Sequence, residues 1–320
     1  MTGSGSGGTI SETALRPRTD RVSPVVVGCH EGFDMLAYPV ANRVGESPCW
    51  HHGQERLYWI DVRGQQLLRL DPATGRVERW DLPDVVGSIA LCQSGEVWLA
   101  LRHGVHALDT DSGLLRLVAS VEDDRPDNRL NDGKVSPSGR WFVFGSMDDR
   151  PRKEPTGALY CMSLQGELRT LWRGLVVANG IAFSADGSTL YFSDSARGLV
   201  FKADWNEQRG CIGEPSIWCV LDEAAGRPDG ATVDTVGHYW SAGVSAGCLN
   251  VLDRSGALHR KLPVPCRAPT MPAFGGARSD VLFVTSLVRP DWASAGVCDG
   301  ALLMLRGCGH GVPAALLGTC

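Results

Sequence analysis

Four short stretches set an acidic or amide side chain beside glycine or proline. They are "VGESPCW" around Glu46, "NRLNDGKVSPSGRW" around Asn131, "VVANGIAFSADGSTLYFSD" around Asn179 and "GRPDGATVDTVGHYW" around Asp229. Each lies roughly ten residues ahead of an aromatic-rich apolar stretch. Glu, Asn, Asn and Asp are hard oxygen donors; they suit Ca²⁺, Mg²⁺ or Mn²⁺ and leave Zn²⁺ and Fe²⁺ open where carboxylates and waters suffice. A plainer reading stands beside this one. Asn-Asp-Gly, Asn-Gly and Asp-Gly are strong turn formers, and a solvated turn is the commoner use of a triplet such as Pro228-Asp229-Gly230. A Cys/His nucleophile pattern is missing from the sequence. Cys49 reads as a small buried apolar residue, His51 and His52 as part of an outer turn, and His103 and His106 as alternating strand positions in "RHGVHALD".

Side chains so far apart in sequence need a scaffold that converges them. Short apolar-aromatic stretches recur: "RLYWIDV", "EVWLAL", "RWFVFGSM", "TLYFSDS", "HYWSAG" and "VLFVTSL". Aligned on Trp59, Trp98, Phe142, Phe192, Trp240 and Phe283, they sit roughly 40 to 50 residues apart, the spacing of propeller blades. Hairpin sequences with glycine-containing turns follow, such as "QLLRLDPATGRVERW" and "CLNVLDRSGALHRKL". Six copies predict an all-β, six-bladed β-propeller with four-stranded antiparallel blades, a single domain over residues 33–320. The early segment "DMLAYPVA" (34–41) is expected to close the ring by completing the blade of residues 281–318. In a propeller the loops and strand starts at one mouth of the central channel carry function, which is where the four donor stretches fall.

Composition narrows the field further. A net charge of −5, from 31 basic and 36 acidic residues, gives no electrostatic case for nucleic acid or an anionic membrane. The 39 glycines, about 12% against an average of about 7%, imply many turns. Eleven scattered cysteines without a C-x-x-C pair read as thiols in a reducing, cytoplasmic compartment. No apolar run reaches membrane-spanning length, and the Gly/Ser-rich N-terminus lacks the apolar core of a secretory signal. Residues 1–32 read as a disordered tail, and no protein partner is implied.

Five stretches together, "GESPCW…LYWIDV", "NRLNDGKVSPSGRWFVFGSM", "NGIAFSADGSTLYFSDS", "PDGATVDTVGHYW" and "AFGGARSDVLFVTS", resemble the SMP-30/gluconolactonase family of regucalcin-like sugar lactonases. They fall in the family's order from about residue 34 to 318. The resemblance implies a six-bladed propeller, one divalent metal ion, and hydrolysis of an aldono-1,4- or 1,5-lactone to the aldonic acid. By the same resemblance Glu46, Asn179 and Asp229 match metal ligands, with Asp229 also the general base, and Arg129 and Asn131 match the substrate-contacting pair. Asp132 is a turn or supporting group, and of the acidic pair after "GSM", Asp149 joins the substrate contacts. The stretch "VSAGCLNVLD" is small and smooth where relatives often carry larger or charged residues, and "KLPVPCRAPTMPAFGG" keeps the pattern with extra prolines; both are expected to border the pocket, which leaves substrate choice open. Two alternatives remain: a phosphotriesterase-type or other ester hydrolase on the same scaffold, and a non-catalytic metal- or sugar-binding propeller.

Overall fold

The computed structural model describes residues 14–30 and 33–318. Strands and turns make up this chain; no helix occurs among the described residues. The strands form six antiparallel sheets, each beginning with an inner strand: Gly45–His51, Val86–Leu91, Asn128–Val135, Ala178–Phe183, Pro228–Val233 and Pro269–Gly275. Each inner strand packs against the next, and the last returns to the first, so the sheets close as the six blades of a β-propeller. The aromatic stretches become the second strand of each blade: Arg56–Asp61, Glu96–Leu101, Trp141–Asp148, Thr189–Asp194, Tyr239–Gly243 and Val281–Ser286.

The core is split into six wedges, one between each pair of neighbouring blades. Trp98 of the second blade packs with Phe142 and Phe144 of the third, and Trp59 of the first packs with Phe283 of the sixth. Both faces of the second strands are therefore buried, which explains why they read as near-continuous apolar runs instead of alternating ones. Filling the wedges with large flat side chains splays the blades and keeps the central axis free for polar residues.

Ring closure follows the sequence expectation. Phe33–Tyr38 pairs antiparallel with Leu302–Arg306, Ala37 opposite Leu303, and becomes the fourth strand of the last blade. Part of the stretch expected to be disordered is instead strand. Val25–His30 adds a fifth strand outside Phe33–Tyr38, and Arg18–Arg21 adds one to the first blade through Arg76–Asp81. The reason is that an edge strand is held by main-chain hydrogen bonds and needs no apolar side chains. Arg18–Arg21 is exposed at every position and adds ion pairs from Arg18 to Asp81 and from Asp20 to Arg79. Residues 1–13 and 31–32 of the expected tail lie outside the described residues. The fourth blade also gains an extra short strand, so three blades have five strands and three have four.

Candidate active site

The donor residues are not in turns. Glu46, Asn131, Asn179 and Asp229 all lie within inner strands, at points where the pairing register slips: between Glu46 and Cys49, Leu130 and Gly133, Asn179 and Ala182, and Pro228 and Ala231. A bulge of this kind kinks the strand and re-aims its side chains. Ser47 and Gly180 take φ values of 52° and 60° to make theirs. At Gly180 a β-carbon would collide with the Tyr239 hydroxyl and Ser193, and at Gly230 with the side chain of Met271, so the glycines let adjacent blades approach. The strand entrances are fixed by acids at the ends of second strands. Asp61 accepts from the amides of Arg43 and Val44, both at 2.9 Å, and Asp194 from those of Val176 (3.0 Å) and Val177 (3.2 Å). These contacts seat the chain just ahead of Glu46 and Asn179.

The bulges bring Glu46, Arg129, Asn131, Asn179 and Asp229 to the wall of one cavity of about 260 Å³. A directed line of hydrogen bonds links three blades. Arg129 Nη1 donates to Asn131 Oδ1 (2.7 Å), Asn131 Nδ2 to Asn179 Oδ1 (2.9 Å), and Asn179 Nδ2 to Asp229 Oδ1 (2.7 Å). Asn131 also donates to the Ala178 carbonyl at 2.8 Å, and Asn179 to Ser195 Oγ at 2.8 Å. Asp132 points elsewhere: its oxygens accept from the amides of Gly133 (2.7 Å) and Ile181 (2.9 Å), bracing the bulge at Gly180.

Electrostatically the floor of the cavity is strained. Burial, then the charges of Asp229 and Asp132, push the Glu46 carboxyl well above the ordinary range. Burial and then Asp132 raise Asp229 to about 7, and burial raises Asp132 to about 6 against the opposing pull of Lys134 and backbone amides. Buried like charges cannot both ionise without a cation between them. Glu46 and Asp229 face the cavity beside two amides, and among the described residues no histidine or cysteine lines it. This all-oxygen set fits a hard divalent ion. Among the described residues no three His, Cys, Asp or Glu side chains converge, because Asp132 is turned away and amides supply the other donors.

Asp149, expected among the substrate contacts, does not line the cavity. It stands behind Arg129, where three guanidiniums hold its carboxylate: Arg63 at 2.6 Å, Arg129 at 3.1 Å and Arg102 at 3.3 Å. Asp148 is tied to Arg150 and the Glu154 amide. Cys49, His51 and His52 lie outside the cavity, and burial pushes the Cys49 thiol up to about 11. Four polar lining residues were not anticipated: Lys153, Ser195, Arg227 and Arg289. Ser195 and Arg227 fall within or beside motifs already noted ("TLYFSDS", "GRPDG"); Lys153 and Arg289 sit on loops without periodicity.

The family described as "SMP-30/Gluconolactonase/LRE-like region" matches residues 44–288. The chain belongs to this family. Within the SMP-30/gluconolactonase group, a 6-deoxy-6-sulfogluconolactonase of Pseudomonas putida is 32% identical over 276 residues, 83% of this chain and 93% of that protein. The pentonolactonase XacC of Haloferax volcanii is 32% identical over 257 residues, 80% of this chain and 86% of that protein. Among solved structures, a calcium-binding regucalcin from Agrobacterium tumefaciens superposes with a TM-score of 0.80 at 27% identity, covering 87% of this chain and 95% of that one.

Proposed function

We propose that the protein hydrolyses a sugar lactone to its aldonic acid in this cavity, with a divalent ion held by Glu46, Asn179 and Asp229. The carrying observation is the convergence of the half-buried Glu46 and buried Asp229 carboxylates with two amides on one concave wall, the amides and Asp229 hydrogen-bonded in line. Lactonases among the 32%-identical relatives support the substrate class, and a calcium-binding structural neighbour supports the ion. When bound, the ion supplies Lewis-acid polarisation of the lactone carbonyl. Asp229, held by Asn179 and kept from bulk water, takes a proton from the attacking water as its oxygen adds to the carbonyl carbon. The ring C–O bond then breaks, and the proton passes to the departing ring oxygen as the open hydroxy acid forms. Arg129 has Nε and Nη1 committed to Asp149, Leu130 O and Asn131, which orients Nη2 for a substrate oxygen. Asn131 keeps one Oδ1 lone pair for a sugar hydroxyl while aligning Arg129 with Asn179.

A panel of aldonolactones and one phosphotriester, followed by a pH indicator with and without chelator and with metals added back, tests this reading. Lactone turnover that chelation abolishes and metal restores is expected. Turnover of the phosphotriester alone would replace the substrate class, and metal binding without any turnover would make the protein a binding module.

A further inference from the structure

Charge on the cavity wall is lopsided. Two acids, Glu46 and Asp229, face four cations, Arg129, Lys153, Arg227 and Arg289. Arg129 is matched by Asp149 behind it. Among the described residues Lys153 donates to the carbonyls of Asp148 (2.7 Å) and Arg150 (3.2 Å) and to no carboxylate. Arg227 and Arg289 have no side-chain hydrogen bond or ion pair among the described residues. This is unlike nearby arginines: Arg197 pairs with Asp194 at 3.3 Å and Arg267 with Asp299 at 2.6 Å. Their charges ease the ionisation of Asp229 from a distance, but neither bonds to it directly; the hydrogen bond to its Oδ1 comes from Asn179.

Position gives these two arginines a use. A second, open cavity of about 750 Å³ adjoins the first, and the residues common to both walls are Ala196, Arg227, Val244 and Arg289. The second cavity also carries Asp222 and Glu223, so unmatched positive charge is concentrated at the shared wall and not deeper in. Ala196 and Val244 are short, leaving room for a substituent between the guanidiniums. An anion here would be bound by charge-assisted hydrogen bonds at the end of a substrate whose reacting carbonyl lies at the carboxylate floor.

Resting on the lactonase reading, we propose that the substrate is an acidic lactone, with a carboxylate, sulfonate or phosphate at the carbon far from the carbonyl, and that Arg227 and Arg289 form its anion subsite. The test compares kcat/KM of the metal-loaded protein for glucono-1,5-lactone and for the same skeleton carrying each of the three anions. Arg227→Ser and Arg289→Ser, with Arg→Lys at each site as the conservative control, are measured alongside. The acidic-to-neutral ratio is expected to favour one anion in the natural protein, to fall at least about tenfold in the Ser variants through KM, and to recover partly with Lys. An equal rate on neutral and acidic lactones that neither substitution moves overturns the subsite and leaves the lactonase reading intact. If no lactone turns over, that reading fails; calorimetry with the open-chain acids then decides the subsite alone. Binding that the Ser variants lose supports it, and no binding to the natural protein overturns it.

Discussion

Asp229→Asn separates a strained functional carboxylate from a structural hydrogen-bond partner. The Asp229 carboxyl is raised from 3.8 to about 7 by burial and the neighbouring Asp132. A carboxyl with a higher pKa in the folded chain stabilises fully below its ordinary value and loses that contribution as pH rises through the raised value. At about 1.4 kcal/mol per pH unit, ionised Asp229 opposes folding of the metal-free protein by about 4 kcal/mol at pH 8. Glu46 acts in the same direction, because burial and Asp229 raise it as well. Asparagine has the same shape and keeps an oxygen for the Asn179 amide, now at 2.7 Å, while removing the charge. Urea unfolding in chelator should therefore find Asp229→Asn more stable than the natural protein at pH 8 by about 2 to 4 kcal/mol, allowing for local relaxation. The gain should shrink to under about 1 kcal/mol at pH 4. With a divalent ion added, the natural protein should gain stability and the variant little, and the variant should lose lactone turnover. Equal destabilisation of the variant at both pH values would refute the reasoning and leave Asp229 a structural residue.

Three further outcomes follow from the geometry. Asp149→Asn takes the counter-charge from buried Arg129, so kcat/KM should fall about tenfold, chiefly through KM, with Asp149→Glu recovering part of it. Ala37→Pro puts proline at a fully buried position of a strand paired on both sides, with Leu303 and Val25; thermal unfolding should show a loss of about 3 kcal/mol or more without a change in the active-site pH profile. Gly180→Ala forces a β-carbon at φ 60° against Tyr239 and Ser193, and should lower both melting temperature and metal affinity, the latter by calorimetry.

The blade count was legible because each wedge of the core demands the same large apolar strand, and the wedges recur at a regular spacing. Closure by residues 34–41 was legible for a related reason: "DMLAYPVA" is an apolar strand with no blade of its own. The strands at 18–21 and 25–30 were not, since they are edge strands held chiefly by main-chain pairing, and the side chains of 18–21 are all exposed. The donor stretches were legible as chemistry but not as geometry. Asn-Gly and Asp-Gly serve a turn and a strand bulge equally well, and what selects the bulge is supplied from elsewhere. Tyr239 presses on Gly180 and Met271 on Gly230, each from the following blade, while Asp61 and Asp194 pin the strand entrances. Arg227 and Arg289 lay further out of reach, because a loop residue gains meaning only from what fails to pair with it in the folded chain. The same logic explains why the site takes this form. No single inner strand contributes both Glu46 and Asp229, so neither blade alone must bear two buried like charges while it folds. The repulsion between these two arises when the ring brings the first and fifth blades to one cavity, and a bound cation can relieve it there.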